Sequence, residues 1–139
     1  MGDWYGHARS NYVRVTDVEA LEASLKPFDV AIIKGSDKNE GKVYLISNDD
    51  KGGWPSSYYS EEKGDYVEFD PATHICPFMD TGEVLVMMEA GAEKTCYITG
   101  IAQAYNSKGE YTQVSLGDIY EKAAEKFKVE RTAITNCEY

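Results

Sequence analysis

Short strand-like runs follow one another along this chain with turn residues between them, and that punctuation constrains the fold more than any single motif. Val30-Ala31-Ile32-Ile33 reads as a buried strand. Lys42 to Ser47 reads as its return, across the polar turn Asp37 to Gly41. Val43 and Leu45 fall on one face of that return, and Tyr44 and Ile46 on the other. Asp65-Tyr66-Val67-Glu68-Phe69-Asp70 alternates, with Val67 and Phe69 aimed at a core and Tyr66, Glu68 and Asp70 at solvent. Glu83 to Glu89, Lys94 to Asn106 and Glu110 to Val114 extend the series. Ala90-Gly91-Ala92-Glu93 and Asn106-Ser107-Lys108-Gly109 read as the turns between them. An earlier strand is expected over residues 8–15, where Tyr12, Val13 and Val15 suit a pleated surface.

Two stretches break this rhythm with helical spacing. Thr16 with Glu19 forms a capping box ahead of the stripe Val18, Leu21 and Leu25, and Lys26-Pro27 ends the helix. Ser115 caps a second helix, whose buried face is expected at Leu116, Ile119, Tyr120, Ala123 and Phe127. Pro71 to Asp80 is ambiguous, because Pro71 suits a helix start and Pro77 limits its length. Consecutive hairpins with one helix early and one late imply a single α+β domain over residues 1–139, with 128–139 a polar C-terminal tail. The expected architecture is a mostly antiparallel sheet of about five to seven strands with two main helices on one face.

Charge bounds the partners. Acidic residues number 24 against 14 basic ones, for a formal charge of −10. Solubility in a small domain needs a magnitude of only about 2–8. A phosphate lattice would be repelled, which argues against direct nucleic-acid binding and for a basic protein or nucleoprotein partner. The three cysteines, Cys76, Cys96 and Cys137, are odd in number and lack paired spacing, which favours reduced thiols in a cytoplasmic setting. No signal-peptide pattern opens the sequence, and no apolar run approaches the ~20 residues of a membrane-spanning helix.

Two aromatic-rich stretches stand out as binding candidates. Gly52-Gly53-Trp54-Pro55-Ser56-Ser57-Tyr58-Tyr59 carries three rings in a loop stiffened by Pro55. Trp4-Tyr5-Gly6-His7-Ala8-Arg9-Ser10-Asn11-Tyr12 opens the chain. If the two face each other, Trp4, His7, Arg9 and Trp54 line a pocket able to stack a ring or hold an anion; a strand end whose polar residues bond to turns explains the same residues. A third candidate is acidic. Glu61, Glu62, Glu68 and Asp70 form a row of carboxylates, and Tyr58, Tyr59 and Tyr66 interleave rings among them. Such a row resembles the regular phosphates of DNA, while a solvated edge strand protected by charge explains it too. Catalytic and cofactor motifs are missing. His74-Ile75-Cys76 lacks the paired spacing of a zinc site, and there is no nucleophile elbow, P-loop or dinucleotide fingerprint. No cofactor or metal is expected, and a non-enzymatic role is favoured.

The opening Trp4-Tyr5-Gly6 followed by Ala8-Arg9-Ser10-Asn11-Tyr12 resembles that of a group of small, mostly uncharacterised acidic proteins encoded by phages and plasmids. Gly52-Gly53-Trp54-Pro55-Ser56 and Glu89-Ala90-Gly91-Ala92-Glu93-Lys94 are similar to that group as well, so the resemblance runs from about Trp4 to Phe127. No catalytic residue is carried over from it. It implies a setting in which inhibitors of host restriction and CRISPR systems are common. The resulting expectation is a binding protein that blocks a host defence complex by occupying its basic nucleic-acid surface. The alternatives are a small-ligand binder or enzyme built on the aromatic, His and Arg pocket, and an interaction module without phosphate mimicry.

Overall fold

The computed structural model describes residues 4–48, 52–93 and 98–137. In chain order it forms β1 (Trp4–Ser10), α1 (Val18–Leu25), β2 (Val30–Lys34), β3 (Val43–Ser47), β4 (Ser57–Ser60), β5 (Asp65–Glu68), α2 (Pro71–His74), β6 (Val84–Glu93), β7 (Ile98–Asn106), β8 (Tyr111–Ser115) and α3 (Asp118–Phe127). Six strands make one antiparallel sheet in the order β2-β3-β1-β6-β7-β8, and β4 and β5 pair as a separate hairpin. The class is α+β, as the hairpin punctuation predicts.

The first strand starts and stops earlier than its β-branched residues suggest. β1 pairs with β6 from Trp4 to Ser10, and beyond it Val13 and Val15 make only isolated bridges to Val43 and Met79. Ser10 and Asn11 explain the break. The Ser10 hydroxyl is buried, donates to the Asn11 carbonyl and accepts the Leu45 N–H. The Asn11 carboxamide replaces the next rung of the ladder, donating to the Val84 carbonyl and accepting the Val86 N–H. Ala90 to Glu93, expected as a turn, instead continues β6. These small residues lie between two neighbours, with Gly91 opposite Gly6 on one side and Thr99 on the other.

The helix caps also differ. Asp17, not Thr16, caps α1 by accepting the Ala20 N–H, while the Thr16 hydroxyl donates to the Phe78 carbonyl. α3 starts after Gly117. Its Asp118 carboxylate reaches back to the Ser115 N–H at 2.7 Å, so Ser115 is a partner of that turn rather than its cap.

Residues directly opposite in an antiparallel pair share a face, so the register defines two sides of the large sheet. On the inner side Val43, Leu45, Leu85, Met87 and Tyr105 pack with Leu21 and Leu25 of α1, with Ile75 and Cys76, and with Phe28. The hairpin β4–β5 joins this layer through Tyr58 and Val67. The outer side carries Tyr5, His7 and Arg9 of β1, Met88 and Ala90 of β6, Ala102 of β7 and Val114 of β8.

The stripe of the last helix is where the structure departs most from the sequence reading. The expected buried face is Leu116, Ile119, Tyr120, Ala123 and Phe127, yet no residue of α3 is buried: Tyr120 and Ala123 are half-buried, Leu116 and Ile119 are exposed, and Phe127 is 66 % exposed. The polar tail instead folds back onto α3. The Arg131 guanidinium lies 4.3 Å from the Tyr120 ring centre, and the Cys137 N–H donates to the Tyr120 hydroxyl.

Candidate functional site

The hairpin β4–β5 assembles most of the acidic candidates. Its turn closes on the Gly64 N–H, which donates to the Ser60 carbonyl, and Gly64 takes a positive φ of 67° that a side chain would strain. Register then sorts the tyrosines. Tyr58 lies opposite Val67, and Tyr59 lies opposite Tyr66. The Tyr58–Val67 pair faces inward, where the Tyr58 ring meets Phe28 edge-on at 4.8 Å. The Tyr59–Tyr66 pair faces solvent with its ring centres 5.3 Å apart, at 54 % and 67 % exposure. A cross-strand ring pair stabilises its hairpin, and tyrosines exposed in this way are also enriched at interfaces.

Carboxylates surround this ring pair. Glu68 shares its face, because Glu68 lies opposite Ser57 while Tyr66 lies opposite Tyr59. Glu61 and Glu62 occupy the turn, and both are exposed. Asp65 ends the pairing opposite Ser60, and its carboxylate accepts the Tyr66 N–H. Asp70 stands apart from these. Its two oxygens accept the Ala72 N–H and the Thr73 hydroxyl, so it is the N-cap of α2. Glu61, Glu62 and Glu68 are therefore the carboxylates in the row without such a local structural task. The strand β4 itself escaped the sequence reading, because Ser-Tyr-Tyr-Ser has neither apolar alternation nor β-branched residues. The available signal was the Gly64 turn, with a tyrosine at a matching distance on each side.

The Gly-Gly-Trp-Pro loop sits on the inner side of the sheet. Gly52 takes φ 83° and lies against the Gly6 carbonyl so closely that a Cβ would overlap it. The two aromatic stretches do meet here, through backbone. Trp54 then hangs from the sheet by its N–H, which donates to a Glu89 carboxylate oxygen at 2.6 Å. Its ring is half-buried against the core, and its indole N–H is buried without a partner among the described residues. Trp54 lines an open cleft of about 480 Å³ together with Phe69, Asp70, Gln103, Tyr105 and Tyr111. Burial pushes the Tyr105 phenol above its ordinary pKa, and the charge of Asp70 adds to the effect.

His7 and Arg9 lie across the sheet from Trp54. They alternate onto the outer side with Met88, where the Arg9 guanidinium stacks 4.3 Å from the Tyr44 ring centre and 5.8 Å from that of Tyr12. The sheet thus separates two of the expected pocket residues from a third, and the side chain of Trp4 lies outside the described ones. His74 stacks against Phe69 and lies 4.7 Å from Phe28, and its Nδ1 sits 3.0 Å from the backbone of Asp70. Cys76 is buried, its thiol pushed up first by that burial and then by Asp70, while Cys137 is exposed. Cys96 falls outside the described residues. Among those described, no cluster of three or more His, Cys, Asp or Glu could hold a metal ion, and no helix is long and apolar enough to cross a membrane.

No family model matches the chain, and neither a curated protein nor a solved structure matches it.

Proposed function

We propose that this is a non-enzymatic acidic binding protein whose β4–β5 hairpin docks on a basic surface of a partner protein or nucleoprotein. One observation carries the reading: an exposed ring pair, Tyr59 and Tyr66, is flanked by the carboxylates Glu61, Glu62 and Glu68. Rings supply contact area at low entropy cost, and the surrounding carboxylates steer the approach of a cation-rich surface. The phage and plasmid resemblance of the opening stretch makes the target class a nucleic-acid-binding defence complex of a host. There the carboxylates stand where phosphates would stand, and the inhibitor competes with nucleic acid for the groove.

The test is affinity capture from host lysate at low and high salt, followed by association kinetics with the captured partner. Replacing Glu61, Glu62 and Glu68 together by Lys is expected to slow association far more than it speeds dissociation. The effect of the wild-type carboxylates fades with salt, because the Debye length falls from about 8 Å at 0.15 M to about 3 Å at 1 M. A folded triple variant that associates at the wild-type rate would sink the proposal.

A second reading rests on the Trp54 cleft. Its volume and aromatic lining suit a small planar ligand. A ligand that quenches Trp54 fluorescence in the wild type and fails to bind a Tyr111→Ala variant would favour this reading.

A further inference from the structure

The Trp54 cleft is lined by rings from two sources. Trp54 comes from the Gly-Gly-Trp-Pro loop and Phe69 from the base of the hairpin, while Tyr105 of β7 and Tyr111 of β8 come from the sheet. The two tyrosines stack on each other at 5.4 Å, yet among the described residues no ring contact joins them to Trp54 or Phe69. Tyr111 is 63 % exposed although Tyr105, its partner in register, is buried. Among the described residues, Asp70 is the one charged group that lines the cleft. Its place as the α2 cap fixes the carboxylate. One oxygen accepts the Ala72 N–H and the other the Thr73 hydroxyl. An ionised carboxylate offers about four acceptor positions, so each oxygen keeps one for a further donor. The Gln103 carboxamide donates to Gln113 and keeps its own oxygen as an acceptor. After burial, the charge of Asp70 is the next cause that raises the Tyr105 phenol, so its field reaches into the cleft.

We infer that this cleft binds a guanidinium group, the planar cation at the end of an arginine side chain. The inference rests on the reading of the cleft as a site for a small planar ligand, and it names the ligand. Aromatic rings attract a cation through their quadrupole, and a carboxylate with one open position on each oxygen matches the guanidinium fork. An ammonium is a compact, strongly hydrated point charge. A guanidinium is more weakly hydrated, stacks on rings and donates within its plane to acceptors such as Asp70 and Gln103. A neutral planar ligand would use the rings and leave the carboxylate idle. An anion is opposed by Asp70 and by the −10 charge of the chain. The cleft also adjoins the hairpin: Pro55 leads into β4, Phe69 and Asp70 leave β5, and the Phe69 N–H closes the base on the Ser56 carbonyl at 2.8 Å. A basic protein docked on that hairpin is the source of such a side chain. The contact forms after docking, so it lengthens the residence of the partner and leaves the association rate to Glu61, Glu62 and Glu68.

Titration of the full-length chain with N-acetyl-arginine amide at constant ionic strength tests this without any partner. The readout is the indole N–H resonance of Trp54, assigned with Trp54→Phe. The expected dissociation constant is about 1–10 mM, the range of a single side chain. The Nα-acetyl amides of citrulline, a neutral planar analogue, and of lysine should each bind about tenfold more weakly. Asp70→Asn keeps a capping side chain and removes the charge, so it should fold normally and lose the preference for arginine over citrulline. Tyr111→Ala, at an exposed position, should weaken the arginine compound as well. Free arginine, whose carboxylate the acidic chain repels, should bind less tightly; tighter binding overturns the assignment to a protein side chain. Equal binding of citrulline overturns the inference and leaves the cleft a charge-blind site for planar ligands. Equal binding of lysine, or an Asp70→Asn variant that still prefers arginine, also overturns it. No shift with the arginine compound up to about 50 mM overturns it too, and if neutral benzamide is equally silent the reading of the cleft as a ligand site falls with it.

Discussion

Tyr59 and Tyr66 face each other across the β4–β5 hairpin with their rings 5.3 Å apart and inclined at 73°, on the side of the hairpin that looks away from the core. A cross-strand aromatic pair of this kind stabilises its hairpin by about 0.5–1.5 kcal/mol. Replacing both by Ala is expected to lower stability by an amount in that range and to abolish partner capture. Replacing Tyr58 instead removes the ring packed on Phe28 and should cost about 3 kcal/mol in chemical denaturation.

Asp70 separates structural from steering carboxylates. As the α2 cap it should cost about 1 kcal/mol when changed to Ala, and Asn should restore most of that loss. Glu68→Gln should leave the denaturation midpoint within about 0.5 kcal/mol of wild type. The association rate with the captured partner should show the reverse order, with Glu68→Gln slowing it and Asp70→Asn leaving it near wild type.

Trp54 combines a ring packed on the core with an indole N–H that finds no partner among the described residues. Trp54→Ala should destabilise by about 3 kcal/mol. Trp54→Phe should cost less than half of that, because it retains much of the ring and removes a donor whose unsatisfied burial costs about 1–3 kcal/mol. Urea midpoints of the two variants decide between this account and a solvent-facing ring, for which both changes would be silent.

The buried thiol of Cys76 and phenol of Tyr105 are both raised, chiefly by burial. A folded-state pKa above the unfolded value stabilises the fold fully below the unfolded value and loses that contribution as pH rises. The decline should begin near the unfolded thiol value of about 8.5 and continue past the phenol value of about 10. Denaturation midpoints measured from pH 7 to higher values should fall, and Cys76→Ala with Tyr105→Phe should flatten the slope. In the folded chain a thiol reagent should modify exposed Cys137 and spare Cys76 until unfolding.

Gly52 tests how the aromatic loop is seated. Its positive φ and its approach to the Gly6 carbonyl leave no room for a Cβ. Gly52→Ala should therefore destabilise by more than the ~1 kcal/mol of an ordinary Gly-to-Ala mismatch, and should alter Trp54 fluorescence because the loop must lift from β1.

Much of the architecture was legible in local sequence. The Val30 to Ser47 hairpin, the alternation of Val67 and Phe69 toward the core, the Asn106 to Gly109 turn and the α1 stripe all follow from spacing and turn chemistry, which act over a few residues. What needed tertiary structure depends on partners distant in the chain. β1 becomes a central strand, and Ala90 to Glu93 extends β6 rather than turning, because these segments pair with each other across more than eighty residues of sequence. Asp70 reads as one more acidic residue until Ala72 and Thr73 fold against it. His7 and Arg9 read as neighbours of Trp54 until the sheet places them on its opposite side. The stripe on α3 was visible in the sequence, but periodicity specifies only that a face is apolar. Which surface covers that face is decided by chain geometry, and among the described residues only the C-terminal tail meets it, at Tyr120, while Ile119 and Phe127 stay exposed.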